Sequence, residues 1–208
     1  VNFIGGYPSG WNSDGFGHGT HVTGTITALN NSVGVVGVLP GTANVYMLRV
    51  FGDDGAWAYT STLIDAANRC ANAGANIISM SLGGSRSSIT ERRGFDSLYS
   101  KGILSIAAAG NDGTSAYSYP ASYDSVMSVA AIDSSEMVAS FSQYNNQVEI
   151  AAPGVGVLST VPYLDESSLV VAGVSYAVNH VEYSSRGTVT GALMNGGMCD
   201  TTGAWSGK

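Results

Sequence analysis

Hydrophobic and polar positions follow two alternating patterns between about residues 22 and 160 of this chain. Runs of apolar and β-branched residues predict strands, and stretches with apolar residues at helical spacing predict helices. The predicted strands cover residues 43–51, 75–84, 103–111, 125–133 and 148–154. The predicted helices cover residues 22–29, 60–74 and 88–102. This alternation predicts an α/β fold with a mostly parallel central sheet flanked by helices.

The ends of two predicted helices carry local signals. Thr60 or Ser61 can cap the N-terminus of the second helix. Gly74 and Gly102 are placed to end the second and third helices. Residues 75–84 between these helices are almost continuously apolar, which predicts a strand that is covered on both of its faces.

The pattern changes beyond Pro162. Residues 163–208 consist of β-like runs separated by Gly/Ser turns, and they contain no convincing helical stretch. We therefore expect two domains, one over residues 1–162 and the start of a β-rich module over residues 163–208. We also expect the chain to be a piece of a longer protein that is cut within the second module.

The composition disfavours some classes of function. Of the 208 residues, 44% are hydrophobic and 11% are charged, which is enough apolar material for a sizeable core. The formal net charge of −7 disfavours a nucleic-acid partner, because few basic groups are available to neutralise phosphates. No apolar run is long enough for a membrane span, which needs about 20 residues. An acidic surface rich in Ser, Thr, Asn and Gly favours a secreted protein.

The two cysteines, Cys70 and Cys199, match no metal-ligand spacing. Cys70 lies within the helix predicted over residues 60–74, where a free buried thiol is the simplest interpretation. Cys199 lies in a glycine-rich loop. In a secreted protein its disulfide partner is either Cys70 or a residue beyond Lys208, and the sequence leaves both open.

Three stretches rich in small residues lie at predicted strand or turn ends, where α/β proteins collect functional groups. The first contains His18 and His21 in "HGTH"; without an HExxH pattern a metal site is disfavoured, and a general base at the start of a helix is favoured. In "AAAGND", Asn111 follows a strand and a glycine, so its amide can project from the strand end. A turn-forming asparagine is the common alternative.

Several of these segments, in unbroken order, resemble motifs of the subtilisin-like serine proteases, or subtilases. "HGTHVTGTITALNNSVGVVGVLP" is similar to their histidine motif, "NIISMSLGG" to their substrate-binding strand and "AAAGND" to their oxyanion-hole segment. "SYPASYDSVMSVAAID" and "ASFSQYNNQVEIAAPG" resemble the stretch that leads to their Ala-Pro-Gly turn. The tail "GALMNGGMCDTTGAWSGK" resembles the opening of a protease-associated domain that is inserted in some secreted bacterial subtilases.

The resemblance implies roles for individual residues. His18 is implied to be the general base and His21 a structural histidine, while the Asn111 amide is implied to stabilise the oxyanion. Substrate is expected to pair with an edge formed by Ser81, Leu82 and Gly83. The residues expected to flank the substrate on its other side are Gly55, Ala56 and Trp57. The residues expected to line the primary specificity pocket are Ala108, Ala109, Gly110 and, near its floor, Ser118. These small residues favour large neutral substrate side chains.

The resemblance also implies a structural calcium site in "LNNSVGVVG". Its expected ligands are backbone carbonyls and one side-chain oxygen, from Leu29, Asn31, Val33 and Val35. The resemblance implies that the remaining ligands come from segments upstream of Val1. A plain Asn/Ser/Gly turn is the alternative.

Two parts of the family's catalytic triad are not found in their expected form. No Asp-Ser/Thr-Gly motif precedes His18, and Asp14 is too close to that histidine in sequence to lie behind its ring. Ser175 in "GVSYAVNHV" matches the family's serine motif in part and lies 157 positions after His18, since 175 − 18 = 157. The residues that follow it have low helix propensity and do not suit the buried helix that should follow the nucleophile. We therefore interpret Ser175 as a serine that resembles the nucleophile but is not it.

The leading hypothesis is therefore a fragment of a secreted, monomeric serine endopeptidase that acts on proteins or peptides, does not contact membranes and is inactive by itself. The alternative is a non-catalytic peptide-binding module on the same fold. A nucleotide-binding α/β domain is disfavoured, because no convincing strand precedes "GFGHGTHVTG".

Overall fold

The computed structural model describes residues 14–52, 60–162, 167–171 and 174–178. The helices in those ranges are α1 (His18–Thr27), α2 (Thr60–Asn72) and α3 (Ile89–Ser100). The strands are β1 (Ile77–Met80), β2 (Leu104–Ala108), β3 (Val126–Ile132), β4 (Val148–Pro153), β5 (Ser167–Val171) and β6 (Val174–Val178). The chain divides into two compact units, Val1–Pro162 and Tyr163–Lys208.

The first unit is built on a four-stranded sheet in the order β1-β2-β3-β4, in which every neighbouring pair is parallel. The register pairs Met80 with Ala107 and Ala108 with Val129. The register between β3 and β4 shifts once, between Ser128 and Val129. The α/β fold with a parallel sheet and helices is thus confirmed.

Helices α2 and α3 pack on one face of this sheet around Phe95 and Leu98, whose side chains are fully buried. Ile78 and Met80 of β1 point into the same core, whereas Ile77 on the opposite face is 61% exposed. The prediction that this strand is covered on both faces is therefore wrong for the part of the chain that the structure describes. Both helices lie on the same face, and an apolar run by itself does not specify what covers it.

Local signals correctly located the C-terminal ends of α2 and α3. Gly74 (φ +93°) follows α2 and Gly102 (φ +78°) follows α3, each in the left-handed region that ends a helix. The strand predicted over residues 43–51 is wrong, since this segment contains only a single bridge residue, Arg49. A β-rich composition forms a strand only where a neighbouring strand supplies hydrogen bonds, and none of the described strands pairs with this segment.

The N-terminus of α3 is fixed by a buried polar cluster. The Ser88 hydroxyl accepts from the Glu91 N–H at 3.4 Å, and the Glu91 side chain is buried. The Tyr123 hydroxyl donates to the Glu91 carboxyl at 2.7 Å and accepts from the Ser88 N–H at 2.8 Å. Burial raises the pKa of Glu91, although the bond from Tyr123 opposes that shift. The cluster joins α3 to the loop that precedes β3.

In the second unit, β5 and β6 form an antiparallel pair in which Val170 lies opposite Ser175. This agrees with the β-like pattern beyond Pro162. The identification of residues 163–208 as the start of an inserted domain stays a prediction. None of the described helices is long and apolar enough to cross a membrane. Cys70 on α2 is half-buried and is not in a disulfide in the described part of the chain, while Cys199 lies outside that part.

Candidate active site

The parallel pairing of β1 and β2 brings two of the predicted segments together. Because Met80 lies opposite Ala107, residues 81–83 leave the sheet beside residues 108–110, at the carboxyl edge. Ser81, Gly83 and Ala108 are exposed, so this edge is open to a ligand. Ala109 is buried, and its N–H donates to the Val129 carbonyl at 2.9 Å.

Gly83 packs directly against Ser118. A Cβ atom on Gly83 would lie 2.7 Å from the Ser118 hydroxyl oxygen, so no larger residue fits at position 83 without displacing that side chain. Paired backbone hydrogen bonds of 2.8 Å between Gly84 and Tyr119 hold the two segments together. Ser118 is buried behind this contact. The structure therefore brings together the predicted substrate edge and the predicted pocket floor.

Asn111 stands just beyond β2. Gly110 (φ +116°) turns the chain out of the strand, which leaves the following asparagine exposed. Among the residues that the structure describes, the Asn111 side chain has no hydrogen-bond partner. Its amide is therefore free to donate to a ligand at the carboxyl edge of the sheet.

The two histidines of "HGTH" have different surroundings. His18 is the first residue of α1, its ring is exposed, and no described residue hydrogen bonds to it. His21 lies nearly one turn later, with its Nε2 atom 3.2 Å from the Val157 carbonyl oxygen. An exposed imidazole without a partner can exchange a proton with a substrate, whereas His21 is used in packing the helix.

Helix α1 is anchored on the chain that leaves the carboxyl end of β4. The Ser159 hydroxyl donates to the His21 carbonyl at 2.5 Å, and the Thr160 hydroxyl donates to the Thr20 carbonyl at 2.8 Å. A Cβ atom on Gly24 would lie 2.1 Å from the Thr160 hydroxyl, so the helix and this segment are in direct contact. The segment thus fixes the first turn of α1, which carries His18.

Asp14 caps this helix, a role that the sequence analysis did not identify. One carboxylate oxygen accepts from the Gly17 N–H at 2.8 Å, and the other accepts from the N–H and the hydroxyl of Thr20, both at 2.7 Å. Burial alone would raise the pKa of Asp14, but the hydrogen bonds from Thr20 and Gly17 outweigh it and lower the pKa. The sequence signal that could have predicted this cap is an aspartate shortly before a turn that contains Gly and Thr. The cap also explains why α1 begins four residues before its predicted start at residue 22.

Ser175 lies within strand β6, paired with Val170, rather than at the start of a helix. The flanking residues Gly173 and His180 of its motif lie outside the described residues. The predicted substrate-flanking residues Gly55, Ala56 and Trp57 also lie outside them.

The predicted calcium loop is a tight exposed turn. The Asn31 N–H donates to the Leu29 carbonyl at 3.0 Å, and the Asn31 side-chain oxygen accepts from the Val33 N–H at 2.9 Å. Each of these oxygens keeps a second lone pair, so neutral oxygen donors suited to calcium are present. Val35 is partly exposed at the end of the turn. Within the described ranges, no cluster of three or more His, Cys, Asp or Glu side chains could hold a metal ion.

Comparison with known proteins shows which family the chain resembles. The model of the subtilase family matches residues 6–203. Subtilisin BL of Lederbergia lenta is 45% identical over 181 residues, and subtilisin DY of Bacillus licheniformis is 41% identical over 185 residues. Each match covers 87% of this chain and 65% of the relative, so the chain spans just under two thirds of these proteins.

A solved structure shows the same fold. The subtilisin-like protease Apa1 of the Antarctic psychrotroph Pseudoalteromonas sp. AS-11 matches with a TM-score of 0.68 and 54% sequence identity. The match covers 77% of this chain and 37% of that one. The family match also continues past Pro162 into the segment that was predicted to be inserted.

The Asp14 cap predicts a stability effect with a defined pH dependence. Replacing Asp14 by Ala should lower the free energy of unfolding by about 1–2 kcal/mol, because it removes a helix cap. Since the folded-state pKa of Asp14 is lowered, its contribution is present above its ordinary value of 3.8 and is lost as the pH falls through the folded value. Chemical denaturation at several pH values measures this difference.

Asp65→Ala is the matched control, because Asp65 is exposed and forms an ion pair with the exposed Arg69 at 3.5 Å. Its effect should stay below about 0.5 kcal/mol. Equal losses for the two variants, or a loss in Asp14→Ala that does not shrink at low pH, would contradict the cap.

Proposed function

The chain belongs to the subtilase family, and on this premise we propose that the protein containing it is a serine endopeptidase that cleaves peptide bonds of proteins through an acyl-enzyme. The proposal rests on an exposed imidazole and an exposed amide, neither of which has a side-chain hydrogen-bond partner among the residues that the structure describes. His18 lies at the start of an anchored helix, and Asn111 lies just beyond β2. These are the two chemical groups that acyl transfer needs besides the nucleophile.

In the proposed mechanism His18 is the general base. It takes the proton of the nucleophilic serine as the serine oxygen bonds to the scissile carbonyl carbon, and it returns the proton to the leaving amine as the carbon–nitrogen bond breaks. Water then attacks the ester, with His18 again taking and returning a proton. The Asn111 amide donates to the oxyanion in both halves. The serine and the orienting aspartate are expected outside the described residues.

The open edge beside β1 supports a mode of substrate binding. An extended peptide can pair with residues 81–83 through main-chain hydrogen bonds, and residues 55–57 are proposed to lie along its other side. The residues proposed to line the primary specificity pocket, Ala108, Ala109, Gly110 and Ser118, are small and carry no charge. We therefore propose that large neutral side chains are preferred at this position of the substrate.

The acidic composition, together with relatives named as subtilisins, supports proteins or peptides as substrates and secretion as the location. We propose a monomer without a nucleic-acid or membrane partner.

The two histidines provide a matched test of the proposed activity. The full-length protein should cleave a peptide library after large neutral residues, and His18→Ala should lower kcat by about 10⁶-fold, a magnitude measured in subtilisin itself. His21→Ala should keep kcat within about tenfold and lose about 1 kcal/mol of stability, because it removes only the contact with the Val157 carbonyl.

Peptide cleavage rates and denaturation curves of the three proteins measure both effects. If the full-length protein binds the peptides but cleaves none, the non-catalytic peptide-binding module is the correct function. Equal losses of kcat in the two histidine variants would contradict the separate roles.

We propose that Ser175 is not the nucleophile, supported by its position in a paired strand. A fluorophosphonate probe should therefore leave Ser175 of the 208-residue chain unlabelled, and Ser175→Ala in the full-length protein should leave kcat within about twofold. Peptide mass spectrometry after labelling locates the modified residue. Stoichiometric labelling at Ser175 would overturn this assignment.

We also propose that the turn formed by residues 29–35 contributes calcium ligands from Leu29, Asn31, Val33 and Val35. The neutral oxygens of the turn support this, and further ligands must come from other segments. If so, EDTA should lower the Tm of the full-length protein by about 5–10 °C. Asn31→Ala should reduce that shift, and Asn30→Ala, one residue away in the same exposed turn, should not. A Tm unaffected by EDTA would rule out the site.

A further inference from the structure

We propose that Gln143 is a positioning residue that holds the Asn111 loop in the geometry needed to stabilise the oxyanion. The inference rests on the proposed endopeptidase function and adds a residue to its machinery. Gln143 is 1% exposed, one of the largest fully buried side chains in the described part of the chain. It lies on the segment that leads into β4, far in sequence from the loop that it contacts.

Gln143 makes three hydrogen bonds to the loop formed by residues 110–116. Its backbone N–H donates to the Gly110 carbonyl at 3.2 Å, and its side-chain oxygen accepts from the Asp112 N–H at 3.3 Å. Its side-chain nitrogen donates to the Ala116 carbonyl at 3.1 Å. Two of these bonds are to the residues immediately before and after Asn111. Gln143 therefore holds the backbone of the asparagine and leaves its amide free.

The two side-chain partners require an amide at this position. The oxygen faces an N–H donor and the nitrogen faces a carbonyl acceptor, so both partners agree on one orientation of the group. A carboxylate would set an oxygen against the Ala116 carbonyl. An apolar side chain of similar size would fill the volume but leave a buried N–H and a carbonyl without partners.

Gly110 shows how closely the loop packs on this amide. A Cβ atom at position 110 would lie 1.8 Å from the Gln143 side-chain oxygen. Neighbouring bonds join the same two segments, from the Gly113 N–H to the Phe141 carbonyl at 2.7 Å and from the Asn145 side chain to the Ala116 carbonyl at 2.9 Å. Hydrogen bonds thus hold the loop on both sides of Asn111. Two of those made by Gln143 are to the residues that adjoin Asn111.

The test measures kcat and KM in the full-length protein. Gln143→Leu should lower kcat and kcat/KM together by about 10- to 100-fold, because a displaced donor loses an interaction that is strongest in the transition state. KM should stay within about twofold. In an Asn111→Ala background the same substitution should lower kcat by less than about threefold, because Gln143 acts on kcat through Asn111.

Two further variants separate positioning from folding. Leu63→Val, in the buried core on α2, should lower the Tm without changing kcat. Gln143→Glu keeps the acceptor for the Asp112 N–H, and it regains a donor for the Ala116 carbonyl only when protonated. Its kcat relative to wild type should therefore fall as the pH rises, which tests the inference even if Gln143→Leu does not fold.

Wild-type kcat in Gln143→Leu would overturn the inference, as would an undiminished loss in the Asn111→Ala background or a pH-independent ratio for Gln143→Glu. A full-length protein that cleaves no peptide would instead overturn the proposed function, and the inference with it.

Discussion

The parallel ladder of β1, β2, β3 and β4 is the constraint on which the rest of the site depends. Parallel strands end at the same edge, so segments that are far apart in sequence leave the sheet side by side. Residues 81–83 and residues 108–111 meet there because Met80 is paired with Ala107. The chain that leaves β4 returns from the same edge to anchor helix α1. A shift of one residue in the ladder would separate the substrate edge from the pocket wall.

Buried and partly buried polar groups hold the segments that carry the candidate site residues. Asp14 fixes the first turn of α1, the Ser159 and Thr160 hydroxyls fix its backbone, and Gln143 fixes the loop around Asn111. Asp14 accepts from the Gly17 N–H beside His18, and Gln143 bonds to the main chain on both sides of Asn111. Within the described ranges, the His18 ring and the Asn111 amide make no hydrogen bond of their own. Directed hydrogen bonds define a position more sharply than non-directional apolar contact does.

The sequence predicted the features that depend on a few neighbouring residues. Helices α2 and α3 end at Gly74 and Gly102 as expected, because a left-handed glycine terminates a helix locally. The apolar runs over residues 75–84, 103–111, 125–133 and 148–154 likewise predicted the four strands of the parallel sheet. The strand expected over residues 43–51 failed because pairing needs a partner that no local pattern specifies. The exposed face of β1, with Ile77 in solvent, was missed for the same reason.

The candidate site also has features that the local sequence determines and features that only the tertiary structure determines. By itself the sequence determined the kinds of chemistry available, an imidazole and an amide in glycine-rich turns, together with the family motifs that order them. Only the tertiary structure decided that His21 packs against Val157, that Asp14 caps a helix and that Gln143 lies buried against the Asn111 loop. In "FSQYNN" the glutamine is indistinguishable from a surface turn residue. The partners of His21 and Gln143 lie 136 and 31 positions away, and contacts at that separation are set by the fold of the sheet, not by the residues beside them.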